Sequence, residues 1–150
     1  MNYARMFHKI GSWSYVLLGI GHIATHLFSP KTPEQEQMIL RMKDFAIDMP
    51  GPDSTLFLFH EGFSLMMGVL LISYGIANIL FLSSDSLDSL TNKHIAMLNI
   101  IVSLVAMILS AVYFFIVPIA FTTASLIAFG LAFGLTRRST RRTKAARQWT

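Results

Sequence analysis

Four long apolar segments leave this chain few folds to adopt. Their approximate ranges are 10–29, 56–82, 94–117 and 119–136. A helix rises ~1.5 Å per residue, so about 20 residues cross a ~30 Å hydrocarbon core. Pro118 separates the last two segments, and because proline interrupts a helix, a tight hairpin is expected there. The sequence therefore predicts an all-α integral membrane protein whose single domain, residues 1–136, is a four-transmembrane-helix antiparallel bundle.

Composition agrees with this class and removes some chemistries. Hydrophobic residues make up 53% of the 150 residues and charged residues only 13%, which is more apolar than an ordinary soluble domain. The chain contains no cysteine, which excludes disulfides, thiolate metal ligands and thiol redox chemistry. Any catalysis must therefore rest on His, Glu, Tyr, Ser or Thr side chains, or on a bound cofactor.

Lysine and arginine are distributed unevenly between the two sides of this predicted bundle. One side carries Arg5, Lys9, Lys93, Arg137, Arg138, Arg141, Arg142, Lys144 and Arg147, and the other carries Lys31, Arg41 and Lys43. Positive charge marks the cytoplasmic side. We therefore expect a multi-pass protein of the cell (inner) membrane with both termini cytoplasmic. Residues 137–150 form a basic cytoplasmic tail, whose predicted partner is the lipid bilayer rather than nucleic acid.

The loop between the first two segments has a helical pattern. Thr32 can cap a helix that begins with Pro33, and Gln35 can reach back to complete a capping box. The residues that follow, up to a predicted turn at 50–52, would give this helix one apolar face and one charged face. The sequence predicts a short amphipathic surface helix over about 33–48 that covers the bundle mouth through Met38, Met42 and Phe45.

Small and polar residues recur every three or four positions on the first three segments. These seams are Ser12, Tyr15, Gly19, His22 and His26, then Glu61, Ser64, Gly68, Leu71, Gly75 and Asn78, then Ala96, Asn99, Ser103, Ala106, Ser110 and Tyr113. Such residues allow close helix packing in lipid, so the seams should face protein. We expect Tyr15, Ser64, Asn78, Asn99 and Ser110 to form a packing and polar network that includes an Asn78–Asn99 hydrogen bond.

The fourth segment carries the small-residue pair Gly130 and Gly134. Glycines four residues apart let two helices approach closely in a membrane. This pair favours tight packing against a neighbouring helix or another copy, so a homo-oligomer and a larger membrane complex are both candidate assemblies.

Glu61 is the only acidic residue predicted at membrane depth. A charge there costs several kcal/mol unless it is paired, protonated or hydrated, so Glu61 is a functional candidate. His22, His26 and His60 are predicted at the same level of the bundle. These four residues predict a polar pocket in the outer half of the membrane.

Four interpretations of this pocket remain open. His22 and His26, spaced i and i+4, could hold Zn, Cu or Fe together with His60 or Glu61. Haem could be ligated by one histidine from each of two helices. A third interpretation is an enzyme acting on a lipid-like substrate, with Glu61, His60 and Tyr113 as candidate catalytic residues for acid–base chemistry. The fourth is a satisfied polar network without chemistry, as in a purely structural subunit.

Three short motifs carry a family resemblance that spans mainly residues 10–80. They are Gly19-x-Gly21-His22, Gly62-Phe63-Ser64-Leu65 and Met49-Pro50-Gly51. With them the chain resembles a group of small uncharacterised bacterial four-helix inner-membrane proteins. The resemblance implies that fold and no assigned activity. The leading functional prediction is binding of a metal ion, haem or lipid-like molecule in the His/Glu pocket, with the membrane enzyme as the alternative.

Overall fold

The computed structural model describes residues 3–48, 54–83 and 89–147 and is helical almost throughout. Its elements are α1 (Tyr3–Phe28), α2 (Pro33–Asp44), β1 (Ala46–Ile47), β2 (Ser54–Thr55), α3 (Leu56–Ser83), α4 (Ser89–Tyr113) and α5 (Ile116–Arg147).

Three helices in this part of the chain are long and apolar enough to cross a membrane. They comprise Leu56–Leu82 of α3, Lys93–Tyr113 of α4 and Ile116–Arg137 of α5. Their outward faces carry large apolar side chains, such as Leu80 with 64% of its surface exposed and Val112 with 66%. Because a protein in water rarely exposes apolar surface of this extent, these faces suit contact with lipid. The α1 helix is not among the three, since serines, glycines and histidines interrupt its apolar residues.

The α1 helix packs between α3 and α5, and α4 packs against α5. Glycines bring α1 and α3 into backbone contact. A Cβ built on Gly75 would lie 2.6 Å from the Ser12 carbonyl oxygen, and one built on Gly19 would lie 2.7 Å from the Gly68 oxygen. Early residues of α1 thus meet late residues of α3, so the two helices run antiparallel. The predicted seams of these two helices are confirmed.

The surface helix α2 begins as predicted but is shorter. Thr32 and Gln35 form the expected reciprocal capping box. The helix ends at Asp44 rather than near residue 48, because Phe45 is extended and the following residues pair with β2. The predicted turn at 50–52 lies outside the described residues.

The sequence predicted that α2 covers the bundle mouth through Met38, Met42 and Phe45. Met38 and Phe45 are 57% and 61% exposed, so the expectation that they cover the polar pocket is wrong. Met42 is half-buried, and α2 contacts α3 and β2. The helix therefore lies beside the end of α3 without sealing it.

The turn between α4 and α5 lies before Pro118 rather than at it. The α4 helix ends at Tyr113, and α5 already begins at Ile116. Proline is tolerated in the first turn of a helix because the amide hydrogen it lacks has no partner there. At its other end α5 extends to Arg147, past the predicted start of the tail, since arginine, lysine and alanine all favour helix.

A cluster of buried polar side chains joins α1, α3 and α4, and we call it the central cluster: Tyr15, Tyr74, Asn78, Asn99 and Ser103. The Tyr15 hydroxyl donates to Ser103 Oγ at 3.0 Å, and the Tyr74 hydroxyl donates to Asn99 Oδ1 at 2.7 Å. Asn99 Nδ2 donates to Asn78 Oδ1, which confirms the predicted hydrogen bond between these residues. The cluster stabilises helix contacts with neutral groups only.

Candidate functional site

A second set of polar side chains lies where the end of α1 meets the start of α3, and we call it the relay: His22, His26, Glu61 and Ser64. His26 Nε2 lies 3.0 Å from Glu61 Oε2. The other ring nitrogen of His26, Nδ1, lies 3.2 Å from Ser64 Oγ. His22 Nε2 lies 3.0 Å from the same hydroxyl and 3.1 Å from the Ser64 carbonyl oxygen. Three of the four predicted pocket residues thus lie in one hydrogen-bonded set, in which Ser64 joins the two histidines and His26 joins Glu61.

Helical periodicity explains this convergence. His22 and His26 are four residues apart on α1, and Glu61 and Ser64 are three apart on α3, so each pair projects from one face of its helix. The antiparallel glycine contact between α1 and α3 brings these faces together. Ser64 consequently lies between both imidazoles.

One assignment of protons satisfies every hydrogen bond of the relay. With Glu61 ionised, His26 donates from Nε2 to the carboxylate and accepts at Nδ1 from the Ser64 hydroxyl. His22 in turn donates from Nε2 to Ser64. Ring protons are assigned here from the partners each nitrogen has. The carboxylate therefore fixes the tautomer in which His26 presents a basic nitrogen to a hydroxyl group.

The relay is open at the Glu61 end. The side chain of Glu61 is 33% exposed, whereas that of His26 is 11% exposed. A ligand or a proton can therefore reach the carboxylate directly, while the histidine behind it is shielded. Such a gradient of exposure suits exchange with the surroundings better than it suits a sealed structural contact.

Two predicted candidates lie outside this network. His60 is exposed, and its ring centroid lies 6.2 Å from that of His26. Tyr113 ends α4 with 75% of its surface exposed. Of the residues predicted for polar packing, Ser110 is buried on α4. His60 thus flanks the relay, and Tyr113 takes no part in it.

The donors for a metal ion are limited in this arrangement. No group of three or more His, Asp or Glu side chains among the described residues could hold a metal. Both nitrogens of His26 are engaged in the relay. As placed, these residues can form hydrogen bonds and transfer protons, and ligation of a metal or haem stays a prediction.

An apolar cleft of about 270 Å³ lies between α3 and α4. Its lining residues are Tyr15, Phe63, Met66, Met67, Leu70, Leu71, Tyr74, Val102 and Ala106. Phe63 immediately precedes Ser64 along α3, so the cleft begins at the level of the relay but on a neighbouring face of the helix. No histidine lines it, and its shape follows α3 for about three turns.

Sequence reasoning overlooked His8. It precedes Ser12 by four residues and so extends the α1 seam, which is the signal that could have found it. The ring is buried and makes an edge contact with Phe129, with centroids 5.1 Å apart. Its Nε2 atom has no hydrogen-bond partner among the described residues.

The chain matches no protein family model, no curated protein and no solved structure.

Proposed function

We propose that this protein crosses the cell (inner) membrane four times and binds a lipid-like amphiphile in the outer half of the resulting bundle. The observation that carries the proposal is the position of the relay. A partly exposed, hydrogen-bonded set of titratable side chains lies at the level where an apolar cleft begins on a neighbouring face of α3. An amphiphile that spans both faces would have a polar subsite at the relay and an apolar subsite in the cleft.

The fourth span in this proposal is α1. Its 26 residues correspond to ~39 Å of helix, which exceeds the hydrocarbon thickness. It packs between α3 and α5, two helices that qualify as spans on their own. Ser12 and Tyr15 are buried against protein, and His22 is bonded to α3, so these polar groups do not need to face lipid. With four spans, the lysine and arginine distribution keeps both termini in the cytoplasm.

The polar subsite can bind a headgroup through several kinds of contact. Glu61 accepts hydrogen bonds, and exposed His60 can donate or accept. Lys43, near the end of α2, lies 5.0 Å above the ring of Phe57, one helical turn before Glu61. Its ammonium group adds a positive charge at the mouth of the relay. We expect headgroups that carry both a hydroxyl and an acidic group to bind most tightly.

The apolar subsite is the cleft from Phe63 to Tyr74. One phenylalanine and two methionines lie at its start, namely Phe63, Met66 and Met67. Two leucines, Leu70 and Leu71, follow them along α3. Methionine side chains adapt their shape to an apolar chain. A single acyl or isoprenoid tail can lie along α3 in this cleft while its headgroup stays at the relay.

Photocrosslinking tests this proposal. The purified protein in nanodiscs would be irradiated with a fatty acid that carries a diazirine near the end of its chain, and adducts would be mapped by mass spectrometry. We expect adducts in peptides that contain residues 63–74. Met67→Trp should fill the cleft and reduce them several-fold, whereas Val69→Trp, on a lipid-exposed face of the same helix, should not. Adducts spread evenly over all exposed helix faces, with no effect of Met67→Trp, would contradict the proposal.

A visible absorption spectrum and elemental analysis of the same preparation separate this proposal from the two cofactor interpretations. A Soret band or a stoichiometric metal that disappears in His26→Gln would favour haem or metal binding at the relay instead.

A further inference from the structure

Ser64 differs from six other helical hydroxyl residues that the structure describes. Six hydroxyl groups donate to the carbonyl oxygen four residues earlier in their own helix: Ser12, Ser14, Thr25, Thr122, Ser125 and Thr136. This local bond is the usual way for a helical hydroxyl to find a partner in an apolar setting. Ser64 Oγ instead lies within hydrogen-bond distance of two imidazoles from another helix.

The order of groups along this contact is carboxylate, imidazole, hydroxyl. Glu61 orients His26 at 3.0 Å, and His26 presents Nδ1 to Ser64 Oγ at 3.2 Å. A nucleophile within reach of a base, which is itself oriented by a third group, is the arrangement that activates serine for attack on a carbonyl group. The three side chains come from two helices and meet at the level where the apolar cleft begins.

We propose that Ser64 is a nucleophile activated by His26 and Glu61, and that its substrate is an ester of a long acyl chain. This inference rests on the proposed function, because the acyl chain would occupy the cleft that begins at Phe63. Ser64 is the next residue along α3 and projects about 100° round the helix from Phe63, so the ester group would extend past the end of the cleft to reach it.

The reaction balances with water as the second substrate. Ser64 Oγ attacks the ester carbonyl carbon and transfers its proton to His26 Nδ1. The carbon–oxygen bond to the alcohol then breaks, and the alcohol leaves with the proton from His26, so that the acyl group remains on Ser64. Water attacks this acyl-serine, loses a proton to His26, and releases the fatty acid while Ser64 recovers its proton.

His22 supplies a donor to the same centre. Its Nε2 atom lies 3.0 Å from Ser64 Oγ and 3.1 Å from the Ser64 carbonyl oxygen, so it holds the hydroxyl group in position beside His26. Glu61 holds the His26 tautomer and stabilises the imidazolium formed in the first step. Glu61 acts through His26 and is a positioning residue.

The test uses a long-chain alkyl fluorophosphonate, which forms a covalent bond to activated serine with loss of fluoride. The full chain in nanodiscs would be incubated with the probe, and adducts would be located by peptide mass spectrometry. We expect one adduct on Ser64. His26→Gln should slow its formation by about 100-fold, the size typical of a lost general base. Glu61→Gln should slow it less, and Glu61→Asp should recover part of the loss.

Ser73 provides the matched control, because it lies on the same helix and is exposed. Ser73→Ala should leave labelling unchanged, and Ser64→Ala should abolish it. If Ser64→Ala fails to fold, Ser64→Cys, which keeps a nucleophile at the same atom position, should react with the probe or with a long-chain iodoacetamide. The proposal is overturned if folded protein gives no adduct at Ser64, or an adduct whose rate is the same in His26→Gln.

Failure of this inference can be told apart from failure of the proposed function. Diazirine adducts in residues 63–74 without a fluorophosphonate adduct at Ser64 would leave lipid binding standing and remove the nucleophile. Loss of both signals in folded protein would remove both.

Discussion

The central cluster and the relay are both polar contacts between helices, yet they differ in burial and in the kind of group they use. In the central cluster Tyr15, Asn99 and Ser103 are at most 2% exposed, and every member is neutral near pH 7. In the relay, Glu61 is one-third exposed and three of the four members can gain or lose a proton. A buried neutral network is suited to holding helices together, whereas a partly open titratable network is suited to exchanging protons or binding a ligand.

Backbone packing also differs between the central cluster and the relay. Gly75, near the central cluster, is in contact with α1, whereas a Cβ on Gly62, next to the relay, would meet nothing within 4 Å. The two helices thus meet through their backbones at the glycines, whereas at the relay they meet through hydrogen-bonded side chains. Stability should depend on the first region, and ligand binding should depend on the second.

The largest expected effect comes from filling the tight contact. Gly75→Ala places a methyl group against the Ser12 carbonyl oxygen, so α1 and α3 would have to move apart at this point. We expect the free energy of unfolding to fall by about 2 kcal/mol, as is typical of overpacking. Gly62→Ala on the same helix should be neutral or slightly stabilising, because alanine favours helix more than glycine does. Thermal unfolding in one detergent would measure both variants, and equal melting temperatures would remove the contrast between the regions.

Loss of the central hydrogen bonds should have the next largest effect. Asn99→Leu leaves the Tyr74 hydroxyl and the Asn78 amide oxygen without their partner. We expect a loss of about 1.5 kcal/mol, since a buried group without a partner costs about 1–3 kcal/mol and hydrogen bonds in membranes lie at the lower end. Met97→Leu, at an exposed position on α4, is the control. An Asn99→Leu variant as stable as the unmodified protein would show that the cluster does not stabilise the fold.

The smallest effect on stability is expected at the relay. Glu61→Gln keeps a hydrogen-bond acceptor beside His26, and Glu61 is one-third exposed, so the free energy of unfolding should change by less than about 0.5 kcal/mol. Crosslinking of the diazirine fatty acid should nevertheless rise several-fold, because a negative charge that repels the carboxylate of the probe is lost. Unchanged crosslinking together with raised stability in Glu61→Leu would instead indicate a purely structural relay.

Much of the relay could be predicted from spacing alone. Glu61, His22 and His26 were predicted to share one pocket, because a carboxylate in an apolar helix needs a partner and two histidines four residues apart lie on one face. The role of Ser64 could not be predicted, since a helical serine ordinarily bonds its own backbone. Only the packing of α1 against α3 shows that Ser64 lies between the imidazoles of His22 and His26.

The prediction for α2 shows the opposite case. Its capping box was readable from Thr32 and Gln35, because capping is a local interaction. Its length and coverage were not readable, because the pairing of Ala46 with Thr55 depends on residues far along the chain. The cleft between α3 and α4 could likewise not be predicted from the sequence, because it depends on the distance between two packed helices.

The sequence by itself determined the helices, their apolar outward faces, their polar seams and the small residues that let α1 and α3 meet. These follow from periodicity and from the length of helix that lipid requires. Only the tertiary structure decided that His26 bonds both Glu61 and Ser64, that His60 and Tyr113 stay outside the relay, and that an apolar cleft begins at its level. Those outcomes depend on the rotation and separation of packed helices, to within about an ångström, and no local pattern encodes them.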